Sequence, residues 1–182
     1  MARDEAYWAQ VAAQYEVTDR TINMEAGFFG MMPAPVLAAY HRHIDRVNRE
    51  SSLFARTEYG SMAAEARRRV AAALAVVPEE IAFTRNATEA LQTLIGQYNR
   101  LRAGETIMYA DLDYPAMQQA MNEIAERKGA QVARFDIPEP VTRASLIAAY
   151  ETALDAHPNT RLLLLTHANN KTGLIHPVAE LT

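Results

Sequence analysis

The chain has 182 residues, 49% hydrophobic and 22% charged, with a net charge of -4 and no cysteine. That is the composition of a globular chain long enough for a substantial core. It excludes a disulfide framework, a cysteine-based metal site and a cysteine nucleophile within these residues, and with no basic block nothing suggests a nucleic-acid partner.

The N-terminal residues, Met1 to Trp8, are polar and amphipathic and lack an apolar signal core. The longest purely apolar run, Leu162 to Leu165, is too short to span a bilayer, so a soluble cytoplasmic protein is expected. Residues 4–15 carry Tyr7, Trp8, Val11, Ala12 and Tyr15 at helical spacing, which predicts an N-terminal helical arm over residues 1–20. Residues 22–35 follow, with two glycines and two prolines set around Phe28, Phe29, Met31 and Met32. Irregular backbone bearing large apolar side chains either plugs a core or lines a pocket.

A helix is predicted from Ala34 to Arg49 with Val36, Leu37, Tyr40, Ile44 and Val47 inward. His41 and His43 are two apart, do not share a helix face and make a poor metal pair, so no metal site is expected. Ser51 to Gly60 reads as a polar connection, and Ser61 to Val76 as a helix with Ala66, Val70, Ala73 and Leu74 inward. The run Arg67-Arg68-Arg69 on that helix reads as a solvated face.

The stretch Ile81-Ala-Phe-Thr-Arg-Asn-Ala-Thr-Glu-Ala90 reads as a short strand (81–83), a polar turn and a helix whose apolar face runs through Leu91, Leu94 and Ile95 to Tyr98 and Leu101. Asn86 is a good N-cap, and Glu89 three residues on makes a capping-box-like pair. A turn opening straight into a helix directs free N–H groups and the positive end of the dipole at one spot, which suits an anion such as a phosphate. Thr84, Asn86 and Thr88 add side-chain donors.

Gly104 marks a helix stop, and Thr106 to Ala110 a strand. Asp111-Leu-Asp-Tyr-Pro115 is a second strand-to-helix turn with Pro115 at the first helical position. The helix behind it buries Ala116, Met117, Ala120, Met121 and Ile124 and stops near Gly129. Gln131 to Ile137 is a strand, and Thr142 to Ala156 a helix with Leu146, Ile147, Tyr150 and Leu154 inward. Thr160 to His167 is nearly all apolar, as a central parallel strand buried on both faces reads. Strands alternating with helices predict an α/β fold with a mostly parallel sheet, whose ligands bind at the carboxyl ends of the strands.

Three polar turns fall at that edge: Thr84 to Thr88, Asp111 to Tyr114, and His167 to Gly173. The first offers phosphate donors, the second an aromatic ring (Tyr114) to stack on a flat ring, and the third the paired amides Asn169 and Asn170. A phosphate, a flat ring and a phenolic oxygen together describe pyridoxal phosphate. A nucleotide-binding domain is disfavoured, because neither Gly-x-Gly-x-x-Gly nor a Walker sequence is present.

On Phe83-Thr-Arg-Asn-Ala-Thr-Glu-Ala90, Asp113-Tyr-Pro-Ala116 and His167-Ala-Asn-Asn-Lys-Thr-Gly-Leu-Ile-His-Pro177, in this order and spacing, the chain resembles the class V aminotransferase and cysteine desulfurase superfamily. The likeness is greatest to isopenicillin N epimerase-like members and covers nearly the whole chain. It implies a three-layer α/β/α fold, residues 21–182 being the first half of a fold-type I large domain, and pyridoxal 5'-phosphate as cofactor. By position it implies that Ala87 and Thr88 bind the cofactor phosphate, Tyr114 stacks on the pyridine and Asn170 bonds the ring oxygen, with Asn169 bracing the loop. Gly27, Phe28 and Phe29 would line the substrate side, and Arg85 would pair with a nearby carboxylate. The resemblance further implies a homodimer acting on an amino acid as epimerase, C–S/β-lyase or aminotransferase. The alternative is a non-catalytic binding or assembly subunit completed by a partner chain. No catalytic residue is assigned. The two lysines, Lys128 and Lys171, do not match the family's Schiff-base lysine, which is expected beyond Thr182.

Overall fold

A computed structural model describes residues 3–182; the first two residues of the expected N-terminal arm lie outside them. The chain divides into two compact units, residues 1–83 and 84–182.

The first unit is helical. Helix α1 (Glu5–Ala12) is shorter than predicted, and Asp4 caps it by accepting from the Tyr7 N–H at 3.0 Å. Helix α2 (Ala34–Glu50) begins behind Pro33 and carries Pro35 in its first turn, where a fixed φ suits it. The expected polar connection is itself helical: α3 (Ser52–Thr57) and the start of α4 (Tyr59–Leu74) fill it. No glycine or proline interrupts residues 51–59. Arg46 fastens the junction, donating to Glu50 at 2.9 Å and Glu58 at 2.6 Å with its guanidinium over the Phe54 ring. The break itself is at Ser51, whose φ of 45° no helix continues.

The inward faces predicted for α2 and α4 are exposed. Val36, Leu37, Tyr40, Ile44, Val47, Val70 and Leu74 all lie open to solvent, and Ala71 is the one buried residue of α4. The periodicity makes the helices amphipathic, but nothing among the described residues covers their apolar faces. The strand expected at Ile81–Phe83 is also absent. Ile81 is extended (φ -106°, ψ 125°), yet the segment pairs with no other strand, and an isolated strand has no ladder to hold it.

The second unit is an α/β/α sandwich. Strands β1 (Thr106–Ala110), β2 (Gln131–Phe135) and β3 (Thr160–Leu163) form a parallel sheet in the order β2-β1-β3. On β1, Ile107 and Tyr109 point into one apolar layer, with Met117, Met121 and Ile124 of α6 (Pro115–Lys128) and Ile95 of α5 (Ala87–Gly96). Met108 and Ala110 point into the opposite layer, against α7 (Arg143–Ala156) through Ala153, Leu146 and Tyr150. The period-2 alternation of a strand thus serves helices on both faces.

Two expectations change here. The central strand is β1, every residue of which is buried, not the Leu-rich β3, which lies at the edge of the three strands. The Leu run still serves both layers: Leu162 and Leu164 pack on the α6 side, Leu163 and Leu165 on the α7 side. Helix α5 ends at Gly96 rather than at Gly104. Tyr98 and Leu101 pack on the core from the loop beyond it, Leu94 is exposed, and Gly104 takes a left-handed turn (φ 82°) before β1. A short helix, α8 (Val178–Leu181), follows the last loop.

Candidate functional site

The carboxyl ends of β1 and β3 lie side by side and present two of the three polar turns. After β1, Asp113 folds back on its own strand. Its N–H donates to the Ala110 carbonyl at 3.1 Å, and its Oδ2 accepts from the Ala110 N–H at 2.7 Å. Gln118, one turn into α6, donates through Nε2 to the carbonyls of Ala110, Asp111 and Asp113. Asp111 reaches the other way, accepting from the Ile137 N–H at 2.9 Å beyond β2. Tyr114 is thereby held as the residue preceding α6, half-buried against the core layer that contains Tyr109.

After β3 the chain makes a hairpin-like loop closed by the Asn169 N–H to Leu174 carbonyl bond and the His176 N–H to His167 carbonyl bond. Gly173 sits at φ 72°, where a side chain would be strained. Asn169 is buried. Its Oδ1 accepts from the Lys171 and Thr172 N–H groups, and its Nδ2 donates 2.6 Å to the Leu112 carbonyl of the β1 turn. Asn170 stands at the loop's exposed tip with no side-chain partner among the described residues. One amide of the pair therefore fixes the loop and the other is free.

The third turn opens α5. Asn86 Oδ1 accepts from the Glu89 N–H at 2.8 Å, as its cap position predicts. The Glu89 carboxylate reaches back to the Arg85 N–H at 2.8 Å and pairs with the Arg85 guanidinium, so the capping box closes one residue earlier than a standard one. That pairing holds the Glu89 carboxyl below its ordinary value. The N–H groups of Ala87 and Thr88 have no acceptor among the described residues, as the first turn of a helix requires.

Helices α5 and α6 run side by side in the same direction. Gln92 lies beside Ala120 and Glu123, and farther along Arg127 Nη2 donates to the Gly96 carbonyl. The start of α5 is thus at the same end of the layer as the start of α6. Ala87 and Thr88 at the start of α5 and Tyr114 before α6 lie toward that same end of the layer, and Asn170 lies in the loop after β3, whereas Lys128 is the last residue of α6, at its other end.

The sequence reading left the interior of this edge unassigned. Asp113 is 1% exposed and His176 2%. Burial raises the Asp113 carboxyl above its ordinary range, opposed by bonds from Thr166 and Ala110. Burial likewise pushes His176 down, and pushes the Tyr150 phenol up so that it stays protonated. His176 Nδ1 lies 3.4 Å from the Tyr150 hydroxyl, and its Nε2 has no partner. A histidine preceded by Leu174 and Ile175 and followed by Pro177 is the one local signal of burial.

Gly27, Phe28 and Phe29 belong to the first unit. Phe28 and Phe29 stack edge to face at 4.5 Å and are both exposed. Asn23 organises their loop, with Nδ2 donating to the Phe29 carbonyl at 2.9 Å and Oδ1 accepting from the Glu25 N–H. At Gly30 an added Cβ would lie 2.8 Å from the Ala26 carbonyl oxygen, so the turn requires glycine.

Among the described residues no helix is long and apolar enough to cross a membrane, and no group of three metal-ligating side chains converges.

Comparison with known proteins gives consistent results. The family described as "Aminotransferase class-V" matches residues 31–182. Isopenicillin N epimerase of Amycolatopsis lactamdurans is 29% identical over 182 residues, covering 96% of this chain and 44% of the epimerase. The structure of the cysteine desulfurase CsdA from Escherichia coli superposes with a TM-score of 0.76 at 23% identity, covering 95% of this chain and 44% of CsdA. C-DES, solved with glycine covalently linked to its PLP cofactor, superposes with a TM-score of 0.70 at 23% identity, covering 84% of this chain and 39% of C-DES. The chain therefore spans less than half the length of the proteins it matches, and these two structures share its fold.

Proposed function

The chain belongs to the aminotransferase class-V family, and from that premise we propose that its sheet edge holds pyridoxal 5'-phosphate as part of an enzyme acting on an amino acid. The residues present fit this cofactor on one observation. The N–H groups of Ala87 and Thr88 are unpaired among the described residues, and α5 packs in the same core layer that Tyr114 borders. A helix N-terminus with free donors binds a phosphate dianion through both the N–H groups and the dipole. The Thr88 hydroxyl adds a third donor. Tyr114 stacks on the pyridine ring. The free amide of Asn170 donates to the ring's phenolic oxygen, while Asn169 keeps the loop in place.

When bound, pyridoxal phosphate supplies an electron sink for negative charge at the α-carbon of an amino acid. This chain's own residues bind and orient it: Ala87 and Thr88 anchor the phosphate, Tyr114 sets the ring plane and Asn170 sets its rotation. The whole protein is a homodimeric epimerase, C–S/β-lyase or aminotransferase. Of these, epimerase draws support from the Amycolatopsis relative, which matches nearly the full chain.

The test is equilibrium dialysis of the full chain against pyridoxamine 5'-phosphate, whose amine cannot react with Lys128 or Lys171. Saturable retention that inorganic phosphate displaces, and that Thr88→Ala together with Asn170→Ala weakens, supports the reading. Retention indifferent to both substitutions overturns it.

A further inference from the structure

We propose that Asp113 is a positioning residue that locks the β1 and β3 turns into one rigid unit, so that Tyr114 and Asn170 meet the cofactor in a single arrangement. The inference rests on the cofactor reading above and assigns a role to a residue which that reading leaves out.

The geometry carries it. One carboxylate oxygen of Asp113 closes its own turn through the Ala110 N–H at 2.7 Å. The other accepts from the Thr166 hydroxyl at 2.5 Å, three residues before Asn169 on the neighbouring strand's exit. Asn169 returns the link, donating to the Leu112 carbonyl beside Asp113. Two reciprocal cross-links therefore join the turns, each from a buried side chain of one to a group of the other. Asp113 is followed directly by Tyr114, and Asn169 directly by Asn170. In each turn the buried residue is bonded, and its neighbour in sequence is the one that the cofactor reading assigns to the ligand.

A buried carboxylate is a costly way to join two loops, since a hydrophobic contact would hold them without desolvating a charge. What the carboxylate adds is direction. Two donors, one from each turn, must meet one planar group, which permits little relative sliding. The bland alternative is that Asp113 only caps its own turn. That reading accounts for the Ala110 bond, but not for the Asp113 bond to Thr166 that crosses to the exit of β3.

The variants are Asp113→Ala, Asp113→Asn and Thr166→Val in the full chain, read by residue-resolved amide exchange and by retention of pyridoxamine 5'-phosphate. Asparagine can keep both links, its Oδ1 accepting from Ala110 and its Nδ2 donating to the Thr166 oxygen. Asp113→Ala is expected to speed exchange in residues 111–114 and 169–172 together, leave Ile107 to Tyr109 protected, and weaken retention about tenfold. Asp113→Asn should return both readouts to within about threefold of wild type, and Thr166→Val should fall between. Exchange that rises in residues 111–114 alone overturns the inference, as does retention unchanged while both turns open. Should Asp113→Ala not fold, Thr166→Val decides: coupled opening of both turns supports the lock and isolated opening refutes it. If wild type retains no pyridoxamine 5'-phosphate, the cofactor reading fails, while the exchange pattern still decides whether the turns are locked.

Discussion

The two units of this chain use similar sequence material with opposite results. In residues 84–182, apolar residues at helical and strand spacing close a core: Ile107, Met108, Met121, Ile124, Leu146 and Tyr150 are all buried. In residues 3–83, equally regular spacing yields helices whose apolar faces remain open, with Val36, Leu37, Ile44 and Leu74 exposed. A period fixes which side of an element is apolar, but burial needs a second surface to meet it. Strand β1 has one on each side, and α2 has none among the described residues.

Core substitutions should break the comparison most sharply. Ile107→Ala is expected to destabilise the second unit by about 2–5 kcal/mol, because it leaves a cavity between β1 and α6. Leu37→Ala in α2 is expected to cost within about 0.5 kcal/mol, as an exposed position should. Urea unfolding followed at both units checks the pair. A large, concentration-dependent cost at Leu37 would mean that this face is covered in solution by another chain.

A smaller effect is expected at the start of α5. Asn86→Ala removes the cap bond to the Glu89 N–H and should cost about 1 kcal/mol, read as faster amide exchange through the first turn of α5 with β1 unaffected. In the first unit, Gly30→Ala should disturb the loop that carries Phe28 and Phe29, since its Cβ would strike the Ala26 carbonyl. Chemical-shift changes confined to residues 23–32, with α4 unmoved, are the expected sign.

The smallest effect is a slope. Asp113 is held above its ordinary value of 3.8 in the folded chain, so the folded state keeps a proton there that the unfolded state has lost. Its contribution to stability is full below the ordinary value and is lost as pH rises through the folded value. His176, lowered from 6.5, acts in the opposite sense: its contribution is full above the ordinary value and is lost as pH falls through the folded one. Stability measured against pH for wild type and Asp113→Asn should differ chiefly by the first of these slopes, with His176 lowered further because the Asp113 charge that raises it is gone. An unchanged profile would show that Asp113 does not titrate with folding.

Much of this was legible in the residues. The α6 start at Pro115, its core positions Met117, Met121 and Ile124 and the Asn86 cap all follow from local chemistry. The family's Aminotransferase class-V match agrees with motifs readable in the bare sequence. What was not legible depended on neighbours. The run Leu162 to Leu165 looked like the central strand because it is apolar on both sides. Yet the order β2-β1-β3 gives that place to β1, which a single strand's sequence does not encode.

By itself, then, the sequence determined most of the helices, the three strands β1 to β3 and which side of each is apolar, because those are properties of a residue and its near neighbours. Only the tertiary structure decided that α2 and α4 stay uncovered, that Ile81 to Phe83 finds no ladder, and that Asp113, Thr166 and Asn169 meet between two strands. Asp113 and Thr166 stand 53 residues apart and are joined by a single hydrogen bond. That bond exists because β1 and β3 are neighbours, a relation that no local pattern in either strand specifies.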